Sequence, residues 1–137
     1  LEEKQLHIIN LNNRLREGLM YELDDIIVNG TIDMGVDVSD YGKRFPSVLN
    51  VSFLGARGEV ILHTLEQDEI FVSTGSACSS HKNSDSHVLA AMGLGHKEIE
   101  GAIRFSISEF NTLEEMDEVA AKVSAAVKRF RRLGSFR

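Results

Sequence analysis

The single cysteine of the chain, Cys78, lies in the stretch FVSTGSACSSHKNSDSHVL, residues 71–89. Its neighbours are small or polar, whereas a cysteine that only fills space in a core normally has apolar company. Gly75 permits a positive φ, and the serines compete for local hydrogen bonds rather than extending a helix. The pattern favours an exposed thiol, made nucleophilic by access and by nearby positive charge such as His81 and Lys82. An inert small residue in a turn is the alternative interpretation.

The five histidines add no recognisable catalytic or metal-binding motif. A cysteine nucleophile in a protease or transferase is activated by an adjacent base such as histidine, but none of these histidines lies in a pairing motif with Cys78. Cys78, His81 and His87 also lack the usual spacing of zinc ligands, so we predict no metal site. The sequence assigns no role to His63, His81, His87 or His96.

Arg104 is the second residue with chemical potential, because it lies inside the alternating segment AIRFSIS, residues 102–108. A guanidinium in a strand either lies on the exposed face of the sheet or is turned inward and held by an anion. Arginine is suited to bind a carboxylate through two parallel hydrogen bonds. The local pattern alone favours the exposed position.

The composition limits the classes of function. The chain has 137 residues and a net charge of −6, which is typical of one globular domain without a general affinity for nucleic acid. Its basic cluster KRFRR, residues 128–132, ends a segment that begins with acidic residues, which suits a helix dipole. The sequence shows neither a membrane-spanning run nor a signal peptide, and a single cysteine fits a reducing, cytoplasmic location.

The hydrophobic pattern predicts helices that alternate with short strands. The first helix lacks an N-cap, which indicates that the chain is cut from a larger protein, and a T-x-x-E capping box at Thr112 opens the last helix. The order predicts an α+β domain with a small sheet, helices packed on one face, and long helices at both ends. The predicted elements are a helix at 2–23, whose stripe is Leu6, Ile8, Ile9, Leu11, Leu15 and Leu19, strands at 26–30 and 47–53, a helix at 56–67, a strand at 69–74, a short helix at 87–93, a strand at 102–108, and a helix from 113 onward.

Three segments together resemble the C-terminal part of the pyridoxal-phosphate-dependent cysteine desulfurases: VSTGSACSS, SHVLAAMGL and GAIRFSIS. They are similar to the group with a long, mobile cysteine loop, which includes nitrogen-fixation and iron–sulfur-cluster housekeeping enzymes. The upstream segments RFPSVLNVSF and GEVILHTLEQDEIFVSTGSAC fit the same pattern, so the resemblance covers about residues 5–130. It implies the small domain of a fold-type I, class-V aminotransferase-like enzyme.

The resemblance also implies a chemistry. In the family, pyridoxal phosphate holds L-cysteine while a loop thiolate, matched here by Cys78, accepts its sulfur as a persulfide and leaves L-alanine. Arg104 matches the arginine that binds the substrate carboxylate. The sulfur then passes to an acceptor protein, often an iron–sulfur scaffold, and the whole enzyme is a homodimer. Asn50, in LNVSF, matches the pattern only as part of a strand.

One departure from the family pattern is important. The cofactor lysine of the family lies in a Ser-x-His-Lys context in a preceding large domain, and nothing in residues 1–137 corresponds to it. The similar letters SSHK at 79–82 lack the glycine-rich sequence that should follow, so we interpret them as coincidence. We therefore expect residues 1–137 to be a single C-terminal domain without the large pyridoxal-phosphate-binding domain. We expect no cofactor-binding residue and no turnover by the chain alone.

Two other functions stay open at this point. The chain is alternatively a stand-alone persulfide carrier or sulfurtransferase, in which another protein loads Cys78 with sulfur. It is alternatively a non-catalytic interaction domain that inherited the fold, in which case the Cys78 thiol is unreactive.

Overall fold

The computed structural model describes residues 3–29, 47–70, 72–74 and 100–134. Three parts of the chain lie outside these residues: residues 30–46, for which the sequence predicts no regular element between the strands at 26–30 and 47–53, the predicted short helix at 87–93, and the loop that carries Cys78, apart from its first residues. The described elements, in chain order, are α1 (Glu3–Glu22), β1 (Ile26–Val28), β2 (Val48–Phe53), α2 (Gly58–Gln67), β3 (Ser73–Thr74), β4 (Ala102–Ser106) and α3 (Leu113–Gly134).

The four described strands form one antiparallel sheet in the order β1-β2-β4-β3. The predicted alternation of residues 47–53 is confirmed, since Leu49, Val51 and Phe53 are fully buried on one face of β2. In β4, Ile103 and Phe105 are buried on that same face. The sheet therefore has an apolar inner face and a second, outer face.

The three described helices all contribute to the core on the inner face, as the sequence predicts. Of these helices, none has the length and apolarity of a bilayer-spanning segment. Their buried residues form a single cluster with the inner residues of the strands, and it includes Leu11, Leu15 and Leu19 of α1, Ile61 and Leu65 of α2, and Met116, Val123 and Val127 of α3.

The predicted stripe of α1 is wrong at Leu6, whose side chain is 46% exposed. Leu15 lies at the centre of the buried face, and Leu6 precedes it by nine residues. At about 100° per residue, nine residues place Leu6 on the opposite side of the helix. The stripe of a helix therefore has to be assigned from the angle of each residue around the helix axis, because two apolar residues of one helix can lie on opposite faces.

The first and last helices lie side by side and run in the same direction. Their contacts advance together along both helices, and Gly18 allows a close approach, because a Cβ built there would lie 3.0 Å from the Ala120 Cβ. The polar contacts along the seam, including those from the segment before α3, are Lys4–Glu109, His7–Asn111, Arg14–Asp117 and Glu22–Lys128.

The best-formed ion pair of the seam joins Arg14 to Asp117. The Arg14 Nε and Nη2 donate to the two carboxylate oxygens at 2.7 and 2.8 Å. This two-pronged hydrogen bond lowers the pKa of the Asp117 carboxyl below its ordinary value, and it raises the pKa of Arg14. The pair is therefore charged at neutral pH, although its exposure to solvent keeps its contribution to stability small.

The predicted strand at 69–74 is wrong over its first residues, because they complete the end of α2. Glu69 has a left-handed backbone with φ of 61°, and the Ile70 N–H donates to the Leu65 carbonyl at 2.9 Å. A left-handed residue with such a backward hydrogen bond is the common way for a helix to end. The described strand β3 is accordingly only Ser73–Thr74.

The basic cluster at 128–132 lies at the end of α3, as the dipole interpretation predicts, and it also makes specific contacts. The Arg131 guanidinium donates to the Leu54 carbonyl at 2.8 Å and to the Asp25 carbonyl at 2.9 Å. Asp25 has a left-handed backbone with φ of 53°, and its carbonyl also accepts from the Leu54 N–H at 3.1 Å. Arg131 therefore holds the turn that leads into β1 against the end of β2.

The predicted capping box at the start of α3 is confirmed. The Thr112 N–H donates to the Glu115 Oε1 at 2.7 Å, and the Glu115 N–H donates to the Thr112 Oγ1 at 3.1 Å. We expect Thr112→Ala to lower the free energy of unfolding by about 1 kcal/mol, because one N-terminal N–H loses its acceptor. Urea unfolding of the chain measures this change. Thr112→Ser is the matched control, since it keeps the hydroxyl, and an equal loss in both variants would contradict the role of the cap.

Candidate functional site

The outer face of the sheet, opposite the helices, carries a line of polar side chains that crosses three strands. Asn50 of β2 and Ser73 of β3 are the Cα partners of Arg104 on either side of β4. Side chains alternate between the two faces of a sheet, so these three lie on the outer face, opposite to Leu49 and Phe105. We call Asn50, Arg104 and Ser73 the polar row.

Arg104 occupies the exposed strand position that its local pattern favours. Ser52 and Ala102 on the same face are fully buried, whereas Arg104 and Ser106 are exposed, so the outer face opens along β4. Within residues 3–29, 47–70, 72–74 and 100–134, no side chain hydrogen-bonds to or ion-pairs with the Arg104 guanidinium. The guanidinium therefore offers its fork of N–H donors to an anion from outside these residues.

Asn29 reaches the polar row from the end of β1. Its Nδ2 donates to the Asn50 Oδ1 at 2.8 Å and to the Ser52 Oγ at 2.9 Å, and its backbone N–H donates to the Asn50 carbonyl at 2.9 Å. The Asn29 side chain is buried, with an exposed fraction of 3%. Sequence reasoning missed Asn29 and Asn50 as site residues. The available signal for Asn50 was a polar residue at an alternating position of a strand, whereas Asn29 follows three apolar residues and precedes a glycine, which reads as a turn.

Cys78 lies outside the described residues, but the chain connects it closely to the polar row. It follows Thr74 by four residues, and four residues span at most about 14 Å. Ser73, the residue before Thr74, is the strand partner of Arg104. The topology therefore starts the cysteine-bearing segment beside the predicted carboxylate-binding arginine, although the two residues are 26 positions apart in sequence.

The two described histidines lie away from the polar row. The His7 Nε2 is 3.0 Å from the Asn111 carbonyl oxygen, and the His63 side chain is 74% exposed with its Nδ1 3.9 Å from the Glu66 Oε1. Among the described residues there is also no cluster of histidine, cysteine and carboxylate side chains that could hold a metal ion. His81, His87 and His96 lie outside the described part of the chain.

The chain belongs to the class-V aminotransferase family. The sequence profile of that family, "Aminotransferase class-V", matches residues 8–119. Among curated proteins, the chain is 35% identical over 133 residues to the cysteine desulfurase IscS of Clostridium botulinum, and 36% identical over 124 residues to a cysteine desulfurase of Sinorhizobium fredii. The matches cover 97% and 90% of this chain but only 32% and 30% of those proteins.

Solved structures show the same fold. A NifS-like protein from Rickettsia africae matches with a TM-score of 0.71 at 21% identity, over 93% of this chain and 30% of that one. A second NifS-like protein matches with a TM-score of 0.60 at 27% identity, over 98% of this chain and 29% of that one. The predicted resemblance and the α+β small-domain fold are both confirmed.

The family depends on pyridoxal phosphate, but the described residues do not by themselves fit that cofactor. Its attachment needs a lysine amine, and the described lysines lie on the helices, where each pairs with a carboxylate. None of them lies on the polar row. The guanidinium of that row can bind a carboxylate, but it cannot replace the lysine amine to which the cofactor is attached. These lysines are Lys4 with Glu109, Lys122 with Asp68 and Glu118, and Lys128 with Glu22.

Proposed function

We propose that this chain is the small, C-terminal domain of a cysteine desulfurase, whose large pyridoxal-phosphate-binding domain lies elsewhere in the whole protein. The relatives named cysteine desulfurase and their greater length support this proposal. The observation that carries it is the position of Arg104. Its exposed guanidinium lies on the outer face of the sheet, directly beside the strand that leads into Cys78.

In this proposal Arg104 binds the carboxylate of L-cysteine and thereby fixes the position of the substrate sulfur. Holding two reacting groups in one geometry makes their reaction effectively unimolecular. The Cys78 thiolate forms a bond to that sulfur while the bond between the sulfur and the substrate Cβ breaks. The Cβ keeps the bonding electron pair and takes a proton, so the products are L-alanine and a persulfide on Cys78.

The later steps of the proposal concern partners. The Cys78 persulfide passes its terminal sulfur to an acceptor protein, such as an iron–sulfur scaffold, in a cytoplasmic homodimer. A small-residue segment suits this task, because the thiol has to meet first the substrate and then the acceptor. The chain alone lacks the cofactor lysine, so we expect it to be inactive without the large domain.

The test of this proposal is Arg104→Ala in the full-length protein. We expect the KM for L-cysteine to rise about 100-fold, because a charged, two-pronged hydrogen bond to the carboxylate is lost. Arg104→Lys should recover only part of the affinity, since an ammonium lacks the fork. Steady-state measurement of L-alanine formation gives both KM and kcat.

Arg14→Ala is the matched control for Arg104→Ala. It removes another exposed guanidinium, which pairs with Asp117 on the helical layer, and it should leave the KM unchanged. An unchanged KM in Arg104→Ala would show that Arg104 is only an exposed strand residue, and it would contradict the proposed carboxylate site.

A further inference from the structure

We propose that Asn50 is a second binding residue for the substrate carboxylate, and that Asn29 is the positioning residue that orients it. This inference rests on the proposed function and extends its carboxylate site. Asn50 is the direct antiparallel partner of Arg104 on the outer face. Directly opposite residues have Cβ atoms about 4.5–5.5 Å apart, so a carboxylate held by Arg104 lies within reach of the Asn50 amide.

The orientation of the Asn50 amide follows from its contact with Asn29. The Asn29 Nδ2 donates to the Asn50 Oδ1 at 2.8 Å, so the carbonyl end of the amide is engaged from β1. In the sheet, β1 and β4 flank β2 on opposite sides. The Nδ2 end of Asn50 is therefore directed away from Asn29, toward the side of β2 on which Arg104 lies. An amide nitrogen carries two N–H groups, so it can donate to a bound carboxylate in addition to another contact that Asn50 makes. Two donor groups side by side suit the two oxygens of a carboxylate.

The burial of Asn29 supports a positioning role. It makes three hydrogen bonds to β2, through both its backbone and its side chain, at an exposed fraction of only 3%. Among the described residues, nothing donates to its buried Oδ1. A buried acceptor without a partner destabilises a fold, and an apolar residue in the same place would avoid that loss. An asparagine at this position is explained by its donation to the Asn50 Oδ1.

The experiment compares Asn50→Ala and Asn50→Asp in the full-length protein. For Asn50→Ala we expect the KM for L-cysteine to rise about ten-fold, the effect of one hydrogen bond to a charged group, with kcat within about two-fold. The inhibition constant of L-alanine, which has the same carboxylate but no sulfur, should rise by the same factor. Asn50→Asp keeps the acceptor for Asn29 and nearly the same shape, but places a negative charge beside Arg104. Its KM should rise more than that of Asn50→Ala.

Positioning by Asn29 has a separate test. Asn29→Asp is nearly isosteric but cannot donate to the Asn50 Oδ1, so we expect the KM for L-cysteine to rise about three-fold. Ser52→Ala is the matched control, because it removes the other acceptor of the Asn29 Nδ2 and leaves Asn50 intact. It should leave KM within about two-fold of the parent protein. A larger KM in Ser52→Ala than in Asn29→Asp would overturn the positioning role.

A double variant separates failure of this inference from failure of the proposed function. If both residues act on one carboxylate, Asn50→Ala adds little to the KM of Arg104→Ala, because coupled residues are not additive. If Arg104→Ala raises the KM and neither Asn50 variant does, only the inference is wrong. If Arg104→Ala also changes nothing, the carboxylate site itself is wrong.

The single Asn50 variants have two further readouts. A fall in kcat without a rise in KM would overturn the role of Asn50. The nearly isosteric Asn50→Asp tests the role if Asn50→Ala does not fold.

Discussion

Replacing Cys78 by alanine in the full-length protein should reduce sulfide release from L-cysteine by roughly 1,000-fold or more, because the proposed reaction loses its nucleophile. Binding of pyridoxal phosphate, followed by its absorbance, should stay unchanged, since the proposal places the cofactor in the large domain. The measurement is sulfide released in the presence of a thiol reductant, together with L-alanine formed. A serine in place of Cys78 should be equally inactive, because a hydroxyl does not form a persulfide.

Ser79→Ala is the matched control for Cys78→Ala, since it changes the adjacent residue and keeps the thiol. Sulfide release that persists in Cys78→Ala would contradict the assignment of this residue. The two other functions predict different results with the 137-residue chain alone. A persulfide carrier would accept sulfur on Cys78 from an external donor, whereas an interaction domain would show slow alkylation of Cys78 at neutral pH.

The largest effect on stability should come from Gly101→Ala. A Cβ at this position would collide with the Phe53 carbonyl oxygen and lie 3.0 Å from the Ala56 carbonyl oxygen. Both neighbours are backbone atoms, so they cannot turn aside as a side chain can. The Phe53 N–H also donates to the Gly101 carbonyl at 2.9 Å, and moving Phe53 away from Gly101 would break this hydrogen bond. We expect a loss of about 3 kcal/mol in unfolding free energy and a Tm lower by about 10 °C.

Gly134→Ala serves as the control for Gly101→Ala. A Cβ at Gly134 would approach nothing closer than the Gly55 carbonyl oxygen at 3.8 Å, which is an ordinary contact. Its Tm should therefore match that of the parent chain within about 2 °C, on the scale of an ordinary surface change. Circular dichroism during heating measures both variants. A Tm for Gly101→Ala equal to that of Gly134→Ala would show that the turn between β2 and α2 yields easily.

Over the residues that the structure describes, the sequence predicted most of the helices and strands, because the decisive signals were local. The capping box at Thr112 and Glu115 needs only four consecutive residues, and the structure forms both of its hydrogen bonds. The alternation in 47–53 likewise identified the buried face of β2. The strand predicted at 69–74 was too long because Glu69 adopts a left-handed conformation. Glutamate is not a residue type that favours this conformation, so the sequence did not predict it.

The candidate site was predictable only in part. Arg104 and Cys78 were selected from motifs within single segments, and they stay predictions. Asn29 and Asn50 were not selected, because their relation to Arg104 depends on strand order. They are 21 residues apart from each other, and only the pairing of β1 with β2 and of β2 with β4 aligns them with the arginine. Strand order is a non-local property that periodicity within a segment does not contain.

The parallel packing of α1 against α3 also governs how the chain folds. The polar contacts along that seam join residues 103 to 106 positions apart. Contacts between such distant residues require a long loop to close first, so they slow folding. On the ribosome, α1 is synthesised well before α3 and has to wait for it. The buried side of α1, which includes Leu11, Leu15 and Leu19, can therefore reach its final burial only after α3 has been synthesised. The packing of α1 and the packing of α3 are then completed in the same step.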